Sequence, residues 1–318
     1  MRFGTFVPQG WKGDQNGVPV DEQWDRILLF ANLIEEAGYE SIWVYDHFHT
    51  HPVVTQESTF EAWTLMAALA ATTTRVRLGQ MCTCALYRPP SMLAKIASSI
   101  DVISGGRLDV GIGAGWSKRE FEAYGYRYPP DGERLDMLEE TVRILLAMWT
   151  EDEAKFTGDH YMVDGAINRP KPIQKPHPPL WVAGGGEKRT LRIVAEYGDF
   201  ANFGDDIDDF RHKSRILAGH CEVVGRDYEE IGRSTHRMSV IGRDEADLRR
   251  KLDIAAGRRS CTPEEFAEEH LVATVSQAVE ELGEFFDEGC TDMILYFYDM
   301  GEADSLELFA SEVIPQLR

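Results

Sequence analysis

A chain of 318 residues is long enough for two average domains or one α/β barrel, and 43% hydrophobic with 27% charged residues is the composition of an ordinary globular protein. A formal net charge of −21 argues against nucleic-acid or anionic-membrane partners, which require clustered Lys and Arg. The five cysteines are odd in number and form no CxxC pair, which argues against a structural zinc site or disulfide framework and fits a reducing cytoplasm.

In chain order, hydrophobic spacing predicts strands alternating with helices. Residues 3–7 read as a core strand, which leaves no room for a signal peptide, and no apolar run is long enough to span a bilayer. The strand empties into a Gly, Pro, Asp and Asn loop carrying Trp11. A helix over 21–37 places Trp24, Ile27, Leu28, Ala31 and Ile34 on one face and stops at Gly38. Strand two, 41–45, runs straight into Asp46, His47, Phe48, His49, Thr50 and His51, and a helical run covers 60–71. Strand three holds Val76, Leu78, Met81 and Cys82. Pro89 and Pro90 open the next helix, whose Leu93, Ile96, Ala97, Ile100 and Ile103 share a buried face. Gly105-Gly106 ends that helix, and strand four, 108–112, gives way to Gly113-Ala114-Gly115-Trp116. Glycines at 106, 111, 113 and 115 mark either a strand end that another group approaches closely or a tight βα turn.

A helix over 133–148 follows, and then the rhythm breaks. Residues 156–163 read as a small hairpin, and five prolines from Pro170 to Pro179 make a stiff return. An insertion of this kind over 150–178 is a lid or an interface rather than a linker, because alternation resumes directly after it. The chain is therefore read as one domain over 1–318. Strand five, 180–183, leads into Gly184-Gly185-Gly186-Glu187-Lys188-Arg189-Thr190 and a helix through 195. Strand six (200–203), a helix (207–224), strand seven (236–241), helices at 245–256 and 276–287, strand eight (293–298) and a helix over 303–313 complete the series. Strands each followed by helix predict an α/β fold of the (β/α)8 TIM-barrel type. Its irregular loops then fall on the C-terminal face, where barrel active sites sit.

Three of those loops carry candidate chemistry. The glycines at 184–186 expose backbone N–H groups at the positive end of a helix dipole, with Lys188 and Arg189 adding charge, which suits a phosphate. A glycine-rich turn with surface basic residues is the alternative, and the spacing is not that of a P-loop. Asp46 and His47 form the best catalytic pair, since histidine exchanges protons near neutral pH and a neighbouring carboxylate can fix its tautomer. His47, His49 and His51 could be drawn as metal ligands only if their loop folded around an ion, so no metal is expected. Cys82 and Cys84 lie on one side of an extended segment, disfavouring a mutual disulfide; a catalytic thiol or a buried inert cysteine are both open. Trp11, Phe48 and Trp116 are the aromatics placed to line a flat apolar substrate pocket.

On these residues the sequence resembles the bacterial-luciferase-like superfamily, and most closely its branch dependent on the deazaflavin coenzyme F420. The matching stretches are YESIWVYDHFHT, RVRLGQMCTCALYRPP, SGGRLDVGIGAGWSKREFEAYG, ERLDMLEETVRILLAMW, FTGDHY and WVAGGGEKRTLRIVAEYGD, in order from the first strand to about residue 203. The resemblance implies a TIM barrel that lays a deazaflavin or flavin ring across its C-terminal face, with the cofactor phosphate at Gly185, Gly186, Glu187, Arg189 and Thr190. It implies that Asp46 and His47 lie at the ring, that Met81-Cys82 is a non-prolyl cis peptide behind it, and that Cys84, Ala114, Gly115 and Arg119 are further cofactor contacts. The implied activity is hydride transfer between F420 and a small organic substrate. An FMN-dependent monooxygenase fed by a partner reductase is the alternative, and a homodimer is the common assembly. F420-dependent sugar-phosphate dehydrogenases place a glutamate at the position of Trp116, and tryptophan accepts no proton, which argues against that activity. A barrel aldolase or isomerase would use the same glycine-rich site but would want a strand-end lysine or paired carboxylates.

Overall fold

The computed structural model describes residues 1–299 and 303–318. Its first half contains β1 (Arg2–Phe6), α1 (Val20–Ala37), β2 (Ser41–Val44), α2 (Ala62–Thr72), β3 (Arg77–Gln80), β4 (Thr83–Cys84), α3 (Pro90–Ser104), β5 (Leu108–Gly113), α4 (Lys118–Ala123) and α5 (Asp131–Thr150). A hairpin of β6 (Ala154–Thr157) and β7 (Met162–Ala166) follows, then β8 (Leu180–Ala183), α6 (Thr190–Tyr197), β9 (Phe200–Asn202) and α7 (Ile207–Val224). The chain continues through β10 (Gly232–Gly242), α8 (Glu245–Arg259), α9 (Pro263–Glu269), β11 (Leu271–Thr274), α10 (Val275–Asp287) and β12 (Asp292–Phe297). It ends in α11 (Asp304–Leu308), a π turn over Phe309–Val313 and α12 (Ile314–Leu317).

Strands β1, β2, β3, β5, β8, β9, β10 and β12 pair in that order, all parallel, and β12 returns to β1. The eight-stranded ring is closed, as expected of a TIM barrel. Local chemistry sets the helix ends. Pro90 occupies the first turn of α3 and Gly105 closes it at φ 70°, while Gly38 closes α1 at φ 87°. The side chain of Glu61 caps α2 by accepting from the Trp63 and Thr64 backbone N–H groups.

One end of the barrel is filled by Trp43 and Trp181, whose rings meet edge to face at 4.9 Å. Glycine makes this possible: a Cβ on Gly79 would lie 2.4 Å from the Trp43 ring, and one on Gly111 would lie 1.9 Å from the Gln80 carbonyl oxygen. Both tryptophans are almost fully buried. Each such ring removes about 150–250 Å² from water, a gross gain of about 4–6 kcal/mol before the entropy of ordering it.

Five elements go beyond the sequence-based expectation: β4, α4, α9, β11 and α12. In addition, β10 begins at Gly232 rather than at 236. Arg233, Ser234, Thr235, Arg237 and Ser239 of that strand are buried yet polar, so its first half shows no apolar alternation to read. β11 pairs with Ser239–Gly242 at the far end of β10, outside the closed ring. Among the described residues, no helix is long and apolar enough to cross a membrane.

Candidate functional site

The C-terminal strand ends open into a cavity of about 1130 Å³. One wall comes from the loops after β2, β3 and β5. On it, His47 Nδ1 lies 2.5 Å from Oε2 of Glu120, the third residue of α4, and Glu120 Oε1 accepts the Phe48 backbone N–H at 2.7 Å. Burial pushes the Glu120 carboxyl up, but the hydrogen bonds from His47 and Phe48 outweigh it and hold the group below the usual 4.5. An ionised Glu120 makes Nδ1 the donor, which leaves Nε2 as the nitrogen free for proton exchange. The imidazole stacks flat on Trp11 at 4.1 Å and 4°, and Trp116 stands edge-on at 5.5 Å.

Asp46 has a different set of partners from the one its position beside His47 suggests. Arg88 donates to both its oxygens, at 2.7 and 2.9 Å, Thr83 Oγ1 donates at 3.1 Å and the Cys84 backbone N–H at 2.9 Å. Arg88 also reaches Glu61 at 2.5 Å. These bonds tie the end of β2 to the β3–β4 segment and to the cap of α2. The carboxylate that orients His47 is therefore Glu120, which sequence reasoning did not nominate. Glu120 itself is buried and does not line the cavity, so Trp116 still leaves no proton acceptor at its own position.

The Met81-Cys82 bond is cis, as the resemblance implied, and Met81, Cys82 and Cys84 line the cavity. Burial, reinforced by the Asp46 charge, pushes the Cys82 thiol up to about 12, and burial pushes Cys84 up as well. Neither is a thiolate nucleophile near neutral pH. A Cβ on Gly113 would lie 2.6 Å from Cys82 Sγ, so the glycine there makes room for sulfur. Ala114, Gly115 and Trp116 line the same space, and Trp116 is 57% exposed. Phe48 instead packs on Tyr87 and Tyr124 at 4.7 and 4.4 Å, away from the cavity lining, and Arg119 is exposed on α4 outside it. His49 turns to the Thr50 carbonyl through its Nδ1, whereas His51 shares the Trp11 and Trp116 rings with His47.

At the glycine-rich loop, Gly184 and Thr190 reach the cavity, while Gly185, Gly186 and Glu187 continue the loop beyond its lining. Arg189 is held by the Gly132 carbonyl and by Asp136. Lys213 of α7 brings a cation against the loop, so close that a Cβ on Gly185 would lie 3.0 Å from its Cε, and it is paired there with Glu187 at 3.4 Å and with Asp209 at 3.6 Å. Backbone N–H groups at the start of α6, the Thr190 hydroxyl and the Lys213 ammonium form a donor set suited to a phosphate.

A family model described as luciferase-like monooxygenase matches residues 1–286. The chain belongs to this family. It is 34% identical over 262 residues to the pyrimidine monooxygenase RutA of Allorhizobium ampelinum, covering 76% of this chain and 66% of that one. It is 25% identical to the F420-dependent glucose-6-phosphate dehydrogenase of Amycolatopsis mediterranei, covering 92% of this chain and 94% of that one. An F420-dependent secondary alcohol dehydrogenase, solved with an F420-acetone adduct, superposes with a TM-score of 0.82 over 100% of this chain and 99% of its own, at 21% identity. A luciferase-like chain with such relatives is a flavin- or F420-type oxidoreductase or monooxygenase.

The opposite wall of this luciferase-like barrel was not legible beforehand. It joins Lys12 from the loop after β1, Thr235–Met238 of β10, Arg259 at the end of α8, and Glu269 and His270 at the end of α9. His236 Nε2 shares a 3.0 Å hydrogen bond with the Tyr45 hydroxyl, and burial brings its pKa down to about 3. Burial likewise lowers His51 and His270 to about 4, with Lys12 and Arg259 respectively the next contributors.

Proposed function

We propose that this protein is an F420-dependent oxidoreductase moving a hydride between the deazaflavin and a small organic substrate whose hydroxyl or carbonyl oxygen meets His47 Nε2. The observation that carries this reading is the His47–Glu120 pair, which points one nitrogen of a fixed imidazole into a large aromatic-walled cavity. The donor set at Gly184, Thr190 and Lys213 supports a cofactor phosphate there, and Met81, Cys82 and Ala114 offer a flat surface for its ring. When bound, the deazaflavin supplies the acceptor or donor of the hydride.

In the oxidation direction, the C–H electron pair leaves as hydride and the O–H proton goes to His47 Nε2; in reduction both return to carbon and oxygen. Glu120 holds the ring in place and stabilises the imidazolium that results. Trp11 and Trp116 shield the imidazole from water. The F420-dependent glucose-6-phosphate dehydrogenase, matched over 94% of its length, supports this cofactor, and the dimethylsulfone monooxygenase of Pseudomonas putida, named for FMNH2, marks the rival.

Parallel fluorescence titrations with F420 and FMN test the reading. F420 is expected to bind at least about tenfold more tightly than FMN. The reverse preference would replace hydride transfer with oxygen chemistry fed by a reductase. His47→Ala should keep F420 affinity and lower the rate by about 10²–10⁴.

A further inference from the structure

Lys12 is only 6% exposed, lines the cavity, and makes no hydrogen bond or ion pair among the described residues. Its Nζ sits 3.9 Å from the centre of the Trp11 ring, the same indole that stacks on His47. The other cations on that side of the cavity are already matched. Arg259 donates to the Tyr298 hydroxyl and to Glu269, each at 3.2 Å, and Arg237 donates to Glu281 at 2.9 Å. The neighbouring buried carboxyl, Asp14, is occupied by the Gly10 backbone N–H and, at 2.7 Å, by the Tyr296 hydroxyl; burial pushes it up toward its neutral form. A charge on Lys12 therefore has no hydrogen-bonded or ion-paired counter-charge among the described residues, although buried charges are normally paired.

We propose that the substrate is a hydroxy- or oxo-carboxylate whose carboxylate docks on Lys12, placing its hydroxyl or carbonyl carbon at His47. This assignment rests on the hydride-transfer reading and names its substrate class. Among the described residues lining the cavity, Lys12 is the one Lys or Arg without a hydrogen-bonded partner, and a single negative charge matches it. A phosphate dianion would meet Glu268, Glu269 and Glu281, which line the same cavity in a protein of net charge −21. Burial, and then the Arg259 charge, bring Lys12 down to about 7, with Asp14 acting in the opposite direction. His51, His236 and His270 also face this ammonium, and burial keeps all three neutral near pH 7. Docking an anion restores the Lys12 charge, so binding takes up a proton above pH ~7.

Calorimetric titration of the full chain, with and without F420, using mandelate and its neutral analogue mandelamide, tests the site. Mandelate is expected to bind at least about tenfold more tightly than mandelamide at pH ~6.5, with the preference falling as pH rises past ~7. Lys12→Met should abolish the preference while leaving mandelamide and F420 binding unchanged. Lys12→Arg should keep the preference and lose its pH dependence. Equal binding of the two probes, failure of both to bind included, overturns the carboxylate site. So does a preference that survives Lys12→Met, or inorganic phosphate outcompeting mandelate. No arm measures turnover, and the F420 titration run alongside separates a failed cofactor assignment from a failed carboxylate site.

Discussion

On the cavity wall built by β2, β4 and α4, each charged group meets its opposite within the protein: Asp46 with Arg88, Arg88 with Glu61, and Glu120 with His47. On the wall built by the β1 loop, β10 and the α9–β11 segment, burial instead drives Lys12, His236 and His270 toward neutrality, as it does His51 facing them from the β2 loop. The first wall is set before any ligand arrives, at the energetic cost of burying ions. The second holds basic groups that regain charge only if a ligand brings one. Cofactor-side residues need fixed geometry, whereas substrate-side residues gain from responding to what enters.

The sharpest way to break this contrast is to remove one ion from the first wall. Arg88→Met leaves Asp46 buried with no counter-charge, and urea denaturation should show a loss of about 3–5 kcal/mol. A loss below about 1 kcal/mol would mean that wall is not held by its ion pairs.

A smaller effect is expected from Glu120→Gln. The rate should fall about 10–100-fold while F420 affinity holds, because the imidazole loses its orienting charge. Glu120 has a folded pKa below its ordinary 4.5, so the stability it contributes is fully present above that value and lost as pH falls through the lower folded value. Denaturation curves of parent and variant should accordingly converge in acid. A gap that persists to low pH would show that the carboxylate acts through packing.

A pH-dependent effect is expected at the cavity histidines. His236, at about 3, and His51 and His270, at about 4, bind protons more weakly folded than unfolded. Stability should be level above pH ~6.5 and fall as pH drops toward ~4, where the unfolded chain takes up protons that these histidines bind weakly in the fold. His236→Asn should reduce that slope by about one proton's worth, as measured by chemical denaturation across the range.

The barrel was legible because its strands are short apolar runs bounded by glycine, proline or a polar loop, and because Pro90, Gly105 and Gly38 act locally. The elements that escaped are those whose residues serve the cavity. β10 starts with buried Arg, Ser and Thr, and α9–β11 is a short acidic helix joined to a four-residue strand. Asp46 and His47 stand out at a strand end. Glu120, in contrast, lies 73 residues from the histidine it holds, in a helix that reads as charged surface. Lys12 looks like any lysine in a polar loop, and only the closing of the barrel buries it. The glycine run pointed to a phosphate site, but no pattern links it to Lys213, a turn into a later helix.

The attachment of β11 has a consequence for how this scaffold can change. The strand is joined to the sheet only through Ser239–Gly242, of which Val240–Gly242 lie beyond the β10 residues that pair with β9 and β12. The segment over 263–274, bearing Glu269 and His270, therefore adds no strand pair to the closed ring, although its Phe266, Leu271 and Ala273 are buried in the core. Its exposed residues can be exchanged without touching the ring's own strand pairs or the Asp46–Arg88 pair, whereas those three cannot.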